Sequence, residues 1–118
     1  MSQTVTNPTT GKTLHDFPVM DPAQRDAVLE RSDVAYRDWR KTSFAERADL
    51  LRRVAAVMRE DRERLALLMT DEMGKPIREA RGEVDKAAWC AEHYADHAEE
   101  YLASEMLGSD ATVSYVQY

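Results

Sequence analysis

The stretch Thr70-Asp71-Glu72-Met73-Gly74-Lys75-Pro76-Ile77-Arg78-Glu79-Ala80-Arg81-Gly82-Glu83-Val84 holds a helix end, a stop and a new helix start. Gly74 has no Cβ to clash in the left-handed conformation that closes many helices at their C-terminus. Pro76 cannot continue the incoming helix, but its restricted φ suits the first turn of the next one. The stretch therefore reads as helix, Gly-Lys-Pro corner, helix. The rest of the chain is organised around that corner.

Before the corner, Ser43-Phe44-Ala45-Glu46 has the form of a capping box, a hydroxyl followed three residues later by a carboxylate. Phe44, Ala48, Leu51, Ala55, Met58, Leu65 and Met69 then keep a spacing of three and four, with Arg62 at the missing step. The opposite face is ionic, and Asp49–Arg53 and Glu60–Arg64 stand at i,i+4. The pattern itself leaves open whether the helix breaks between Glu60 and Arg64. An earlier helix starts at Asp21-Pro22-Ala23-Gln24, with an acidic cap, a proline at the first position and a glutamine to complete the box. Val28, Ala35 and Trp39 recur at multiples of a helical turn and predict a modest buried stripe. The helix should end near Arg40-Lys41, where positive charge complements the helix dipole. At the N-terminus, Thr4-Val5-Thr6 and Lys12 to Phe17 read as strands around an Asn7-Pro8-Thr9-Thr10-Gly11 turn.

After the corner, a third long helix carries Ile77, Ala80, Val84, Ala87, Ala88, Ala91, Tyr94, Ala95, Ala98 and Leu102 on one side. Small residues dominate that face, which suits close approach to a neighbouring layer. Gly82 costs about 1 kcal/mol relative to alanine inside a helix. Met106 to Asp110 reads as a breaker, and Thr112 to Tyr118 has the composition of a strand with no partner in sequence.

A chain of 118 residues predicts one domain that buries roughly 65% of its unfolded surface. The apolar supply is thin for that, since Leu, Ile, Val and Phe make up only about 18% of the residues. Alanine and methionine fill much of the 43% hydrophobic fraction, and they bury less area or specify packing less firmly. The composition predicts helices that need a further layer to pack on. A net charge of −6 with both signs interspersed argues against a nucleic-acid or anionic-membrane surface. The single cysteine excludes an internal disulfide, and no secretory signal or ~20-residue apolar run is visible. The expectation is a soluble cytoplasmic protein.

These residues together resemble the aldehyde dehydrogenase superfamily. Glu72 to Pro76 and Glu79 to Val84 match the E-M-G-K-P and E-A-R-x-E-V stretches that its members often carry near the chain start. Asn7-Pro8-Thr9-Thr10-Gly11 is similar to its opening N-P-x-T-G hairpin. Arg37-Asp38-Trp39 and Phe44-Ala45-Glu46-Arg47-Ala48 resemble the helices that follow, and Ser114 to Tyr118 resembles the strand before the nucleotide-binding half. The likeness covers essentially all of this chain but only about the first quarter of a typical member. Within the superfamily, the Glu79 to Tyr101 helix is most similar to succinate-semialdehyde dehydrogenases.

The resemblance implies an α-rich α/β fragment with an N-terminal β-hairpin, three or four long helices and one C-terminal strand. Residues 1–20 would be the hairpin and 21–107 the helical layer of the nucleotide-binding domain. Residues 111–118 would be the truncated first strand of an oligomerisation sheet. It implies an enzyme that oxidises an aldehyde to a carboxylate with NAD or NADP, as a homo-oligomer, with the remainder of the dehydrogenase chain as partner. The family's nucleophilic cysteine, glutamate base, oxyanion-steadying asparagine and Rossmann-type site all lie later than this chain reaches. The chain alone is therefore expected to hold no catalytic, cofactor-binding or metal-binding residues.

The residues themselves agree with that expectation. Cys90 lies mid-helix in Ala88-Trp89-Cys90-Ala91, whereas a reactive thiol wants a helix N-terminus or a cationic neighbour. Cys90, His93 and His97 share a helical strip at a pitch that could ligate zinc, but a solvated helix edge accounts for them as well. His15 reads as exposed or hydrogen-bonded. No P-loop or G-x-G-x-x-G occurs, and Gly74-Lys75 follows a helix instead of opening a phosphate-cradling turn. Two rival readings are a small helical interaction module using the alanine-rich face, and a metal-binding helical protein using Cys90, His93 and His97.

Overall fold

Local capping chemistry sets where the first two helices begin. The computed structural model describes residues 2–118. Strands β1 (Ser2–Thr6) and β2 (Thr13–Pro18) pair antiparallel, with Val5 opposite His15 and an irregularity between Val5 and Thr6. Asn7 shapes their turn: its Oδ1 accepts from the Thr9 and Thr10 amides at 2.9 and 3.0 Å, and Gly11 takes φ +70°. Helix α1 (Pro22–Trp39) starts at a complete capping box. The Gln24 amide donates to Asp21 Oδ1 at 2.8 Å, and the Asp21 amide donates to Gln24 Oε1 at 3.0 Å. Helix α2 (Phe44–Glu60) starts the same way through Ser43 and Glu46.

Helix α3 (Arg62–Met73) ends at Gly74, whose φ of +75° is left-handed and whose amide donates to the Thr70 carbonyl at 3.0 Å. Pro76 then opens α4 (Ile77–Tyr101), and its carbonyl accepts from the Glu79 and Ala80 amides at 2.8 and 2.9 Å. The corner also receives the hairpin. A Cβ on Gly74 would stand 3.0 Å from Pro8 Cγ, and Asn7 Nδ2 donates to Asp71 Oδ1 at 3.3 Å. Gly74 is thus required twice, for its backbone conformation and for the close approach of the proline.

The core lies where α4 crosses α2 and α3. Ala55, Ala66, Ala80 and Ala88 are fully buried there and Val84 nearly so, whereas no large side chain is. The stripe read along the sequence is the one that packs. Phe44, Ala48, Leu51, Met58, Leu65 and Met69 are half-buried around the alanines, together with Arg62. On α4, Ile77, Ala91, Ala95 and Ala98 face the same contact, while Ala87, Tyr94 and Leu102 remain exposed.

The question left open after Glu60 is answered by a break, and three expectations need correction. The single stripe from Phe44 to Met69 spans two helices, because Asp61 leaves helical geometry at φ −95°, ψ 14°. The Asp49–Arg53 and Glu60–Arg64 pairs do not form. Asp49 takes Arg52, and Arg64 reaches the nearer Asp61 carboxylate instead. On α1, Ala35 and Trp39 are exposed and no residue is buried, since no layer covers that helix. The segment read as a breaker supplies a strand partner for the C-terminal residues: β3 (Glu105–Met106) pairs antiparallel with β4 (Tyr115–Val116), and the Leu107 amide donates to the Ser114 carbonyl at 2.8 Å.

The arrangement is open. Its accessible surface is 9513 Å², against about 6,500 Å² for a compact monomer of this mass. Its radius of gyration is 20.6 Å, against about 13–14 Å for a compact domain of this length. The thin apolar composition thus has its counterpart in a layer that is not closed on itself.

The two helix-associated glycines should respond oppositely to alanine. Gly74→Ala should lower the unfolding free energy by about 1–3 kcal/mol through strain at positive φ, with the Pro8 contact adding to it. Gly82→Ala points into open space inside α4 and should raise stability by about 1 kcal/mol. Urea denaturation followed by circular dichroism reads both. Equal effects of the two substitutions would contradict the corner geometry.

Candidate docking surface

Ion pairs line the seam between α4 and the α2–α3 pair. Arg62 holds Asp85 through two bonds of 2.8 Å, and Arg59 holds Glu92 through bonds of 2.5 and 2.7 Å. Arg52 reaches Asp96 at 2.8 Å, and Arg81 reaches back to Glu63 at 2.7 Å. The planar guanidinium fork matches a carboxylate in this way. The hydrogen bond from Arg62 is the main cause that holds the Asp85 carboxyl below its ordinary range. Arg59 does the same for Glu92, Arg52 for Asp96 and Arg81 for Glu63. These side chains remain half in water, so salt screens them.

Beside the ionic seam lie two open apolar grooves. One, on α2 and α3, is lined by Leu50, Val54, Val57, Met58 and Leu65. The other runs between α3 and α4 past Leu68, Met69, Val84 and Ala87. Val57 and Leu68, one in each groove, are 59% and 41% exposed, and aliphatic side chains so placed leave an apolar surface uncovered.

The residues singled out for chemistry are not assembled into a site. Cys90 is exposed on α4. His93 Nε2 lies 3.0 Å from Tyr101 Oη, and His97 Nδ1 lies 2.8 Å from the His93 carbonyl. The two imidazoles stack at 4.5 Å between centroids, an arrangement in which their in-plane lone pairs do not converge. Among the described residues, no group of three or more His, Cys, Asp or Glu side chains surrounds a possible metal position. Trp89 and Tyr101 extend the histidine strip at a spacing of four, with Trp89–His93 at 5.6 Å and His97–Tyr101 at 5.9 Å. The i,i+4 spacing of Trp89, His93, His97 and Tyr101 is the sequence signal for this strip. His15 stands beside Phe17 in β2 at 6.0 Å.

Among the described helix starts, none follows a strand through a Gly-rich turn. Pyrophosphate sites use free amides at a helix start that follows a strand and a Gly-rich turn. The starts of α1 and α2 are closed by their own capping boxes. Helix α3 follows α2 across Asp61 alone, and α4 follows α3 through Pro76, which has no N–H. Lys75 is engaged with Glu83 at 2.9 Å. No described helix is long and apolar enough to cross a membrane.

The seam carries a pH dependence of defined sign. The folded-state values of Asp85, Glu92, Asp96 and Glu63 are depressed, so their pairs stabilise fully above the unfolded carboxylate range of about 4. That stabilisation is lost as pH falls through the depressed values. Thermal melts should be flat from pH 7 to about 5 and shift downward below about 4. Asp85→Asn should reduce that acid-induced shift. A midpoint that rises on acidification would contradict the assignment.

A sequence profile of the aldehyde dehydrogenase family matches residues 1–118. The chain is 39% identical over 112 residues to a probable NADP-dependent succinate-semialdehyde dehydrogenase of Synechocystis sp., covering 95% of this chain and 25% of that protein. It is 44% identical over 96 residues to the NADP-dependent succinate-semialdehyde dehydrogenase of Deinococcus radiodurans, covering 81% of this chain and 20% of the relative. The fold superposes with a TM-score of 0.88 on the crystal structure of succinic semialdehyde dehydrogenase from Streptococcus pyogenes in complex with NADP+. That match has 40% identity and covers 97% of this chain and 25% of that one. The chain spans about a quarter of the length of these relatives. The hairpin, corner and helix motifs pointed the same way, and the match along the whole chain establishes that it belongs to the aldehyde dehydrogenase family.

Proposed function

We propose that the chain is the N-terminal part of an NAD(P)-dependent aldehyde dehydrogenase that oxidises succinate semialdehyde to the carboxylate. The substrate rests on the relatives above, two of which are named for that aldehyde and for NADP. The observation that carries the reading is the unclosed helical layer. In a chain that matches a quarter of its relatives, α2, α3 and α4 leave the Leu50–Val57 and Leu68–Val84 grooves open. Those grooves are where the remainder of the dehydrogenase would pack, with residues 21–107 as the helical layer of its nucleotide-binding domain. Residues 111–118 would contribute to an oligomerisation sheet of a cytoplasmic homo-oligomer.

Residues 1–118 supply scaffold and no chemistry in this reading. Covalent aldehyde oxidation needs an activated thiolate beside a base, and exposed Cys90 has neither role. The cofactor, NAD or NADP, accepts the hydride in the complete enzyme, and this chain contributes no catalytic, cofactor-binding or metal-binding residue to that step. The same open grooves also favour a second reading, a small helical module that binds a partner protein. A cooperative, monomeric melt of the isolated chain would support the module, whereas aggregation or molten behaviour would support the dehydrogenase segment.

Turnover of succinate semialdehyde with NAD and with NADP distinguishes the outcomes. Residues 1–118 alone should show none. The same chain continued through the family's cysteine and glutamate segments should be active, and Cys90→Ser in that longer chain should leave turnover largely intact. Activity of residues 1–118 abolished by Cys90→Ser would overturn the proposal. Zinc offers an independent check, since it should bind no tighter than micromolar and leave the melting temperature unchanged. Tight one-to-one binding lost on His97→Ala would restore a metal reading.

A further inference from the structure

We draw no further inference here: the strongest candidate, the Trp89–His93–His97–Tyr101 side-chain cluster along α4, stacks its imidazoles face to face with a ring nitrogen of each already in a hydrogen bond, and among the described residues no third metal-ligating group joins them, so nothing in the structure points to what it would bind.

Discussion

The structure depends on how closely α4 approaches α2 and α3. Ala55, Ala66, Ala80 and Ala88 are fully buried at that crossing, and a methyl group is small enough to let helix backbones come together. The same smallness limits the stabilisation, because the hydrophobic effect scales with the apolar area removed from water. The contact is therefore close but carries little apolar burial per residue. The arginine–carboxylate pairs flanking it, Arg62–Asp85 and Arg59–Glu92 among them, stand partly in water and add little to its stability.

The corner connects this crossing to the start of the chain. Gly74 ends α3, turns the chain into α4 and leaves room for Pro8, so the hairpin is seated where two helices meet. An isolated two-stranded hairpin is marginal in water. Asn7 closes its own turn through two amides and also reaches Asp71. Motifs far apart in sequence, Asn7 to Gly11 and Glu72 to Pro76, thus form one structural unit.

What could be read from the residues alone was whatever local chemistry decides. The capping boxes at Asp21 and Ser43, the glycine stop at Gly74 and the packed stripe from Phe44 to Met69 each follow from interactions within a turn or two. What could not be read depends on partners distant in sequence. Arg52 and Arg64 both had more than one carboxylate within reach, and the fold selected among them. The break at Asp61 leaves the apolar spacing intact, so periodicity could not reveal it. Glu105–Met106 is too short to register as a strand, although Gly108-Ser109-Asp110 carried the turn signal that makes the pairing intelligible. Burial of the α1 stripe required a covering layer, which no property of α1 itself can supply. The mid-helix position of Cys90 was legible from its neighbours Ala88, Trp89 and Ala91. The stacking of His93 on His97 was not, because rotamers are chosen by neighbours.

Helix α1 carries a consequence for the dynamics of the molecule. Eighteen residues long, it buries none of them, so tertiary packing contributes little to holding it in helical form. Most helical stability in proteins comes from such packing, and α1 is held instead by local contacts: the Asp21–Gln24 box at one end, the Asp33–Arg37 pair along it and Arg47 over Trp39 at the other end. Its opening should then be less tightly coupled to the α2–α4 layer than that layer's own helices are to one another. Amide hydrogens of α1 should therefore exchange with solvent through local fraying, while those around buried Ala80, Val84 and Ala88 should require the helical layer to separate.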